Sequence, residues 1–251
     1  MSMSPLKIRN MILGDGIPKI CIPVTAKNKQ ELESQIATIV QSPFDMVEWR
    51  ADYYEETEGE DWMEDALSCL RRSLGEKPLL FTFRTGEEGG ERRISPEEYR
   101  KLNERAAASH FADLVDLEIN RGEALFRSQA EMIHGCGVKV IGSFHDFAGT
   151  PDKNTIIGIL CNIQRLGADI SKAAVMPSRE RDVLTLLDAS LAMKETYADR
   201  PFITMSMSRL GSVSRLAGAL TGSALTFATA GRASAPGQLE AAILSEILPV
   251  L

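Results

Sequence analysis

The chain has 251 residues, 44% hydrophobic and 25% charged, with a net charge of −7. That is enough apolar surface for a substantial core, and the acidic balance argues against nucleic acid or an anionic membrane as partner. No apolar run approaches the roughly 18 residues of a membrane span, and the N-terminal stretch lacks the apolar core of a secretion signal.

Cys21, Cys69, Cys136 and Cys161 are widely spaced with no C-x-x-C pair. Reduced thiols in a cytoplasmic protein are expected, and a metal cage is not.

Along the chain, LKIRNMILGDGIPKI carries a short strand pattern and a GDG turn. It predicts a small hairpin closing the N-terminal end of the fold. Then come β-rich runs: KICIPV (Lys19 to Val24), DMVEWRA (Asp45 to Ala51), PLLFTFR (Pro78 to Arg84) and DLVDLEI (Asp113 to Ile119). VKVIGSFH (Val138 to His145), DISKAAVM (Asp169 to Met176), PFITMSM (Pro201 to Met207) and ALTFAT (Ala224 to Thr229) follow. Amphipathic segments such as NKQELESQIATIVQ and SPEEYRKLNERAAASH separate them. The second opens on Ser95, Pro96 and Glu98, a capping-box pattern with proline at the first helical position.

Eight strands, each followed by a helical segment, within about 230 residues fit a closed (β/α)₈ (TIM) barrel better than an open doubly wound sheet. No G-x-G-x-x-G follows the first strand and no G-x-x-x-x-G-K-[ST] occurs, so the nucleotide-binding readings lose their support. With no linker or repeat beyond the βα rhythm, residues 1–251 read as one barrel domain.

Side chains alternate along a strand, so residues of equal parity share a face. Glu48 with Arg50, Thr82 with Arg84, Asp116 with Glu118, and Ser143 with His145 each share a parity late in a run, and Lys172 joins them. One such pair would read as charge leaving the sheet for water. Recurrence in five consecutive strands predicts an active-site mouth at the strands' C-terminal ends. There His145 is a candidate acid/base, since imidazole titrates near neutral pH; its plainer reading is a satisfied buried histidine. Asp146, of opposite parity, reads as structural, as do His110 and His134 in helical patterns.

Lys172 stands among Ile170, Ser171, Ala173, Ala174 and Val175. A lysine in so apolar a strand is costly unless paired or neutral. Phosphate binding and imine formation both remain open, although PSRERD after Met176 offers no glycine-rich phosphate loop. An imine needs the neutral amine, which desolvation and the nearby Arg50, Arg84 and Arg215 would favour.

In this order the chain carries EWRAD, LLFTFR, EEGGE, SFHDF, DISKAAVMP, TMSMS, SRLAG, TFAT and ASAPGQ. Spread over nearly the whole length, the set resembles the type I 3-dehydroquinase family of the shikimate pathway. The resemblance implies a (β/α)₈ barrel, usually a homodimer, without metal or organic cofactor. It also implies that 3-dehydroquinate loses water by syn elimination. Lys172 would form an imine with the C3 ketone, His145 would move the C2 proton to the departing C1 hydroxyl, and Glu88 would orient His145 and support its cationic form. Arg215 would hold the substrate carboxylate, and Glu48, Arg50 and Arg84 would bind ring hydroxyls and tune the lysine. Met205 and Phe227 would line the pocket. Ser234 and Gln238 would bind substrate from a Gly/Pro-punctuated lid after the eighth strand.

Three rivals stand beside this. A class I aldolase would share the strand lysine and cleave a carbon–carbon bond. Metal-assisted catalysis would recruit His145, Asp146, Asp116 and Glu118, against the parity break at Asp146 and the surrounding arginines. A non-catalytic binding barrel would need no buried amine.

Overall fold

The computed structural model describes residues 3–59, 61–231 and 234–251. β1 (Leu6–Ile8) and β2 (Met11–Leu13) form an antiparallel hairpin. Eight parallel strands follow: β3 (Lys19–Val24), β4 (Met46–Arg50), β5 (Leu79–Thr82), β6 (Leu114–Glu118), β7 (Lys139–Asp146), β8 (Ile170–Val175), β9 (Phe202–Ser206) and β10 (Leu225–Thr229). They curl until β10 pairs with β3, and a two-residue β11 (Leu239–Glu240) adds to the outer end of β10. The fold is the expected (β/α)₈ barrel with its hairpin.

Helices α1 (Lys29–Ile39), α2 (Trp62–Leu74), α3 (Pro96–Ala108), α4 (Glu123–Gly135), α5 (Lys153–Arg165) and α6 (Glu180–Ala192) form the outer layer, with α8 (Ala241–Ile247) after β11. Local chemistry sets where they start. Asn28 accepts from the Glu31 amide at the head of α1, and the Ser95/Glu98 capping box opens α3 with Pro96 in its first turn. The connection after β9 departs from the expected pattern. It holds only a 3₁₀ turn (Ser212–Arg215) and the four-residue α7 (Gly218–Thr221). The serines and glycines of SRLGSVSRLAGALTGSA favour turns over a sustained helix.

Strand parity builds the interior in layers. Met46, Leu80, Leu114, Ile141, Ile170, Ile203 and Leu225, low on their strands, pack with Ile8, Met11 and Leu13 of the hairpin. That apolar plug fills the N-terminal end. The opposite parity, including Val47, Trp49, Phe81, Val115 and Val140, packs outward in the core shared with the helices. Two residues above the plug the inward positions of β4 to β8 become polar (Glu48, Thr82, Asp116, Ser143 and Lys172), while β9 and β10 present Met205 and Phe227. The alternation that buries one end therefore delivers charge to the other.

The barrel has a seam. Among the described residues β9 and β10 share no ladder, only a bridge between Phe202 and Ser223 and the Ala224 N–H donating to the Phe202 carbonyl at 2.9 Å. Hydroxyls satisfy the backbone that a ladder would have paired. Ser223 Oγ accepts from the Thr204 amide at 3.0 Å, and Ser214 Oγ from the Ser206 amide at 2.9 Å. The short connection after β9 supplies both serines, and Arg215 enters the barrel mouth beside them.

Candidate active site

At the C-terminal ends of the strands lies a cavity of about 660 Å³, open mouth included. It draws Glu48 and Arg50 from β4, Arg84 from just beyond β5, His145 from β7 and Lys172 from β8.

The wall from β4 to β8 is held by a buried charge network centred on Arg84. Its Nη1 donates to Glu118 at 2.9 Å and to Ser143 at 3.0 Å, and its Nη2 to Asp116 at 2.8 Å. Burial by itself would weaken that cation; Asp116, Glu118 and Glu88 reverse the effect and hold its pKa well above the ordinary value. Burial would likewise raise the Asp116 carboxyl, but Arg84 and Lys172 outweigh it and keep Asp116 below the usual carboxylate range. Glu118 also accepts from the Thr85 amide and hydroxyl, and Thr82 donates to Glu48 at 2.8 Å. The acids thus fix one another's cations in place.

Lys172, 4% exposed, has its Nζ 3.3 Å from Asp116 and 4.5 Å from the centre of the Phe227 ring. The alternation within β8 placed this lysine in the mouth, but it could not supply its carboxylate, which comes from β6, on the far side of β7.

His145 Nδ1 lies 2.9 Å from Glu88 Oε2. Two glycines make that approach possible. A side chain on Gly90 would strike the Arg84 carbonyl, and one on Gly89, at φ 83°, would strike the Phe147 ring. Burial pushes the Glu88 carboxyl up to about 8, against the pull of Arg84. Burial, with Arg84, Lys172 and Arg50 adding to it, pushes His145 well below its ordinary value. Both partners are driven toward their neutral forms.

The opposite wall is different in kind. Arg215, 2% exposed, donates only to carbonyls, those of Phe227 at 3.3 Å and Pro236 at 3.1 Å. No carboxylate among the described residues pairs with it, its Nε is buried without a protein partner, and burial lowers it to about 10. Met205, Phe227, Ser234 and Gln238 complete this side of the cavity. Ser234 and Gln238 engage each other: the Ser234 amide donates to Gln238 Oε1 at 2.8 Å, and Gln238 Nε2 donates to Ser234 Oγ at 2.9 Å. Arg232 and Ala233, in the same GRASAPGQ loop, lie outside the described residues.

The residues named through the family resemblance therefore line one cavity, whereas Thr82, Asp116, Glu118 and Ser143, which strand parity also placed in the mouth, do not line it and instead hydrogen-bond to Glu48 and Arg84 from behind its wall. Asp146 caps its own loop, accepting from the Ala148 and Gly149 amides. His134 pairs with Asp169 at 2.7 Å on the outer layer. His110 lies beyond the end of α3 at φ 57°, not within a helix as its pattern suggested. Sequence reasoning missed Phe147, which lines the cavity against Gly89, and Asp52, which forks Arg50 through two bonds of 2.8 Å. The aspartate of EWRAD was visible, but it falls on a 3₁₀ turn (Ala51–Tyr53) where strand parity no longer applies.

Fold and cavity together define the class, a (β/α)₈-barrel enzyme with its site at the C-terminal mouth. The sequence profile of the type I 3-dehydroquinase family matches residues 20–251. A 3-dehydroquinate dehydratase of Syntrophotalea carbinolica is 48% identical over 99% of this chain and 98% of its own, and one of Bacillus licheniformis is 46% identical over 98% and 97%. Among solved structures, a type I 3-dehydroquinate dehydratase of Clostridium difficile, covalently modified with comenic acid, superposes with a TM-score of 0.95. It is 42% identical and covers 99% of this chain and 98% of its own. The chain belongs to the type I 3-dehydroquinase family, and its enzyme class is that of a hydro-lyase. Among the described residues no helix is long and apolar enough to cross a membrane.

Proposed function

We propose that this cavity removes water from 3-dehydroquinate to give 3-dehydroshikimate through an imine on Lys172. The observation that carries the reading is one convergence. A buried strand lysine, an imidazole–carboxylate pair and a guanidinium with no carboxylate of its own line a single cavity.

Arg215 takes the substrate carboxylate through its planar fork, and Ser234 and Gln238 exchange their mutual bonds for bonds to substrate. The Lys172 amine attacks the C3 ketone to give a carbinolamine. The Glu88–His145 pair, entering with its extra proton, gives that proton to the C3 hydroxyl as water departs. The cationic iminium forms beside Asp116, which stabilises it electrostatically. With Nδ1–H now donating to the Glu88 carboxylate, Nε2 is a base. It removes the C2 proton, the electrons pass into the iminium, and the same proton leaves with the C1 hydroxyl as water. Hydrolysis of the product imine frees Lys172 and returns a proton to the pair. Glu48, Arg50 and Arg84 bound the ring hydroxyls on the other side. On this reading no metal or organic cofactor takes part, and the protein is a cytoplasmic homodimer with one barrel domain per chain.

Borohydride added during turnover tests the imine. A secondary amine should form on Lys172, with one ligand mass gained and activity lost permanently, while Lys139, Lys153 and Lys194 stay unmodified. Wild type left active and unmodified would overturn the Schiff-base reading.

A further inference from the structure

Asp52 is buried (1% exposed) on the 3₁₀ turn after β4, and among the described residues its carboxylate accepts four hydrogen bonds, from Arg50, the Arg84 amide and the Glu91 amide. Its Oδ1 accepts from Arg50 Nε at 2.8 Å and from the Arg84 amide at 3.4 Å. Its Oδ2 accepts from Arg50 Nη2 at 2.8 Å and from the Glu91 amide at 3.2 Å. Arg92 ties the same turn from the other side, donating to the Asp52 and Ala51 carbonyls at 3.1 Å each. The two backbone amides bracket the 85–90 segment that carries Glu88 to His145. One carboxylate therefore fixes both the Arg50 guanidinium and the two ends of the loop beneath the imidazole.

We propose that Asp52 is a positioning residue that couples these two halves, aiming Arg50 at the substrate and holding the Glu88 loop in register with His145. The inference rests on the dehydratase reading above. The fork leaves Arg50 a single orientation, in which its outer edge faces the cavity and its guanidinium lies 5.0 Å from the centre of the Tyr53 ring. The amide contacts act on a different step. A loop shifted by a fraction of an ångström would lengthen the 2.9 Å contact between Glu88 and Nδ1, leaving the imidazole free to turn. Asp52 thus affects binding through Arg50 and proton transfer through Glu88 without touching substrate.

Asp52→Asn keeps the shape but turns a donor either toward Arg50 Nε and the Arg84 amide or toward Arg50 Nη2 and the Glu91 amide. We expect KM to rise about tenfold or more, as charge-assisted bonds to Arg50 are lost. We expect kcat, normalised to the fraction of chains that borohydride traps, to fall about tenfold or more from misplacement of the acid/base pair. Mere destabilisation would lower the trapped fraction and leave the normalised constants alone. Two further backgrounds separate the halves. In Arg50→Ala, Asp52→Asn should still lower kcat; in Glu88→Gln, it should still raise KM. Wild-type constants in Asp52→Asn, or loss of either effect in its background, would overturn the coupling. If Asp52→Asn does not fold, Arg92→Ala reads the loop half: kcat should fall with KM unchanged, and an unchanged kcat would overturn it. Failure of the dehydratase reading itself would look different, since wild type would then neither turn over 3-dehydroquinate nor be trapped.

Discussion

Arg84 and Arg215 are both buried guanidiniums facing one cavity, and their surroundings are opposite. Arg84 meets Asp116 and Glu118 at hydrogen-bond distance and has Glu88 3.7 Å away. Arg215 meets two carbonyls, and burial lowers it to about 10. A buried cation without a counter-ion is costly, and selection for stability alone would not keep one. The difference teaches how the two walls divide the work. The β4–β8 wall has balanced charge and is built to stay fixed. The wall formed by the turn after β9 and the loop after β10 carries a charge that no carboxylate among the described residues balances.

The largest effects should come from the fixed wall. Lys172→Met should abolish both turnover and borohydride trapping while folding normally, because Asp116 keeps Arg84 and Ser143 as partners. His145→Ala should lower kcat by roughly 10²–10⁴-fold and still allow the lysine to be trapped, since amine attack and proton transfer are separate steps. Near-normal turnover in His145→Ala would remove the imidazole from the mechanism.

The arginines themselves provide the sharper contrast. Arg84→Met takes the guanidinium from two buried acids, leaving Asp116 to Lys172 and Ser143 and Glu118 to Thr85, and should cost about 3–5 kcal/mol of stability. Arg215→Met deletes an unbalanced buried cation, so stability should hold or rise, while kcat/KM should fall by an amount equivalent to about 2–5 kcal/mol. Denaturant unfolding and steady-state kinetics read the two separately. Equal destabilisation by both substitutions would show that the walls do not differ in this way.

Much of this division was legible in the sequence, for a physical reason. Alternation along a strand reports which residues point inward, so Glu48, Arg50, Asp116, His145 and Lys172 could be placed in the mouth without any tertiary information. The same rule says nothing once the strand ends. Arg215 lies on a 3₁₀ turn and Ser234 and Gln238 in a loop, so only the family resemblance pointed to them. Pairing between strands was also hidden. Nothing local in DISKAAV announces that Lys172 meets Asp116, 56 positions earlier. The β9–β10 seam was missed for a related reason. ALTFAT and PFITMSM read as ordinary strands, and the serines that take the place of their ladder act only after the short connection has folded back.

A smaller effect tests the open wall directly. If Arg215 lacks a counter-ion, simple carboxylates such as acetate should raise the melting temperature of wild type and not that of Arg215→Met. At ten times the dissociation constant the gain is about 1.4 kcal/mol. Equal protection of both proteins would place the anion elsewhere.

The smallest predicted effect returns to the fixed wall and to its one poorly satisfied acid. Glu88 Oε1 is buried without a protein partner, and the carboxyl is pushed up to about 8. A carboxyl raised above its unfolded value binds its proton more tightly in the folded chain. Its contribution to stability is therefore complete below about pH 4.5 and disappears as pH rises through about 8. Glu88→Gln does not titrate. Between pH 7 and pH 9 wild type should lose about 1 kcal/mol relative to the variant. His145 does not confuse this window: it is held neutral when folded, and an unfolded histidine near 6.5 is largely neutral there too. Urea unfolding at several pH values reads the difference, in which the other titrating groups cancel. Parallel curves for the two proteins would mean that Glu88 enters the folded state already ionised. The pair would then begin the reaction as a base, and the proton that releases water from the carbinolamine would have to come from another group.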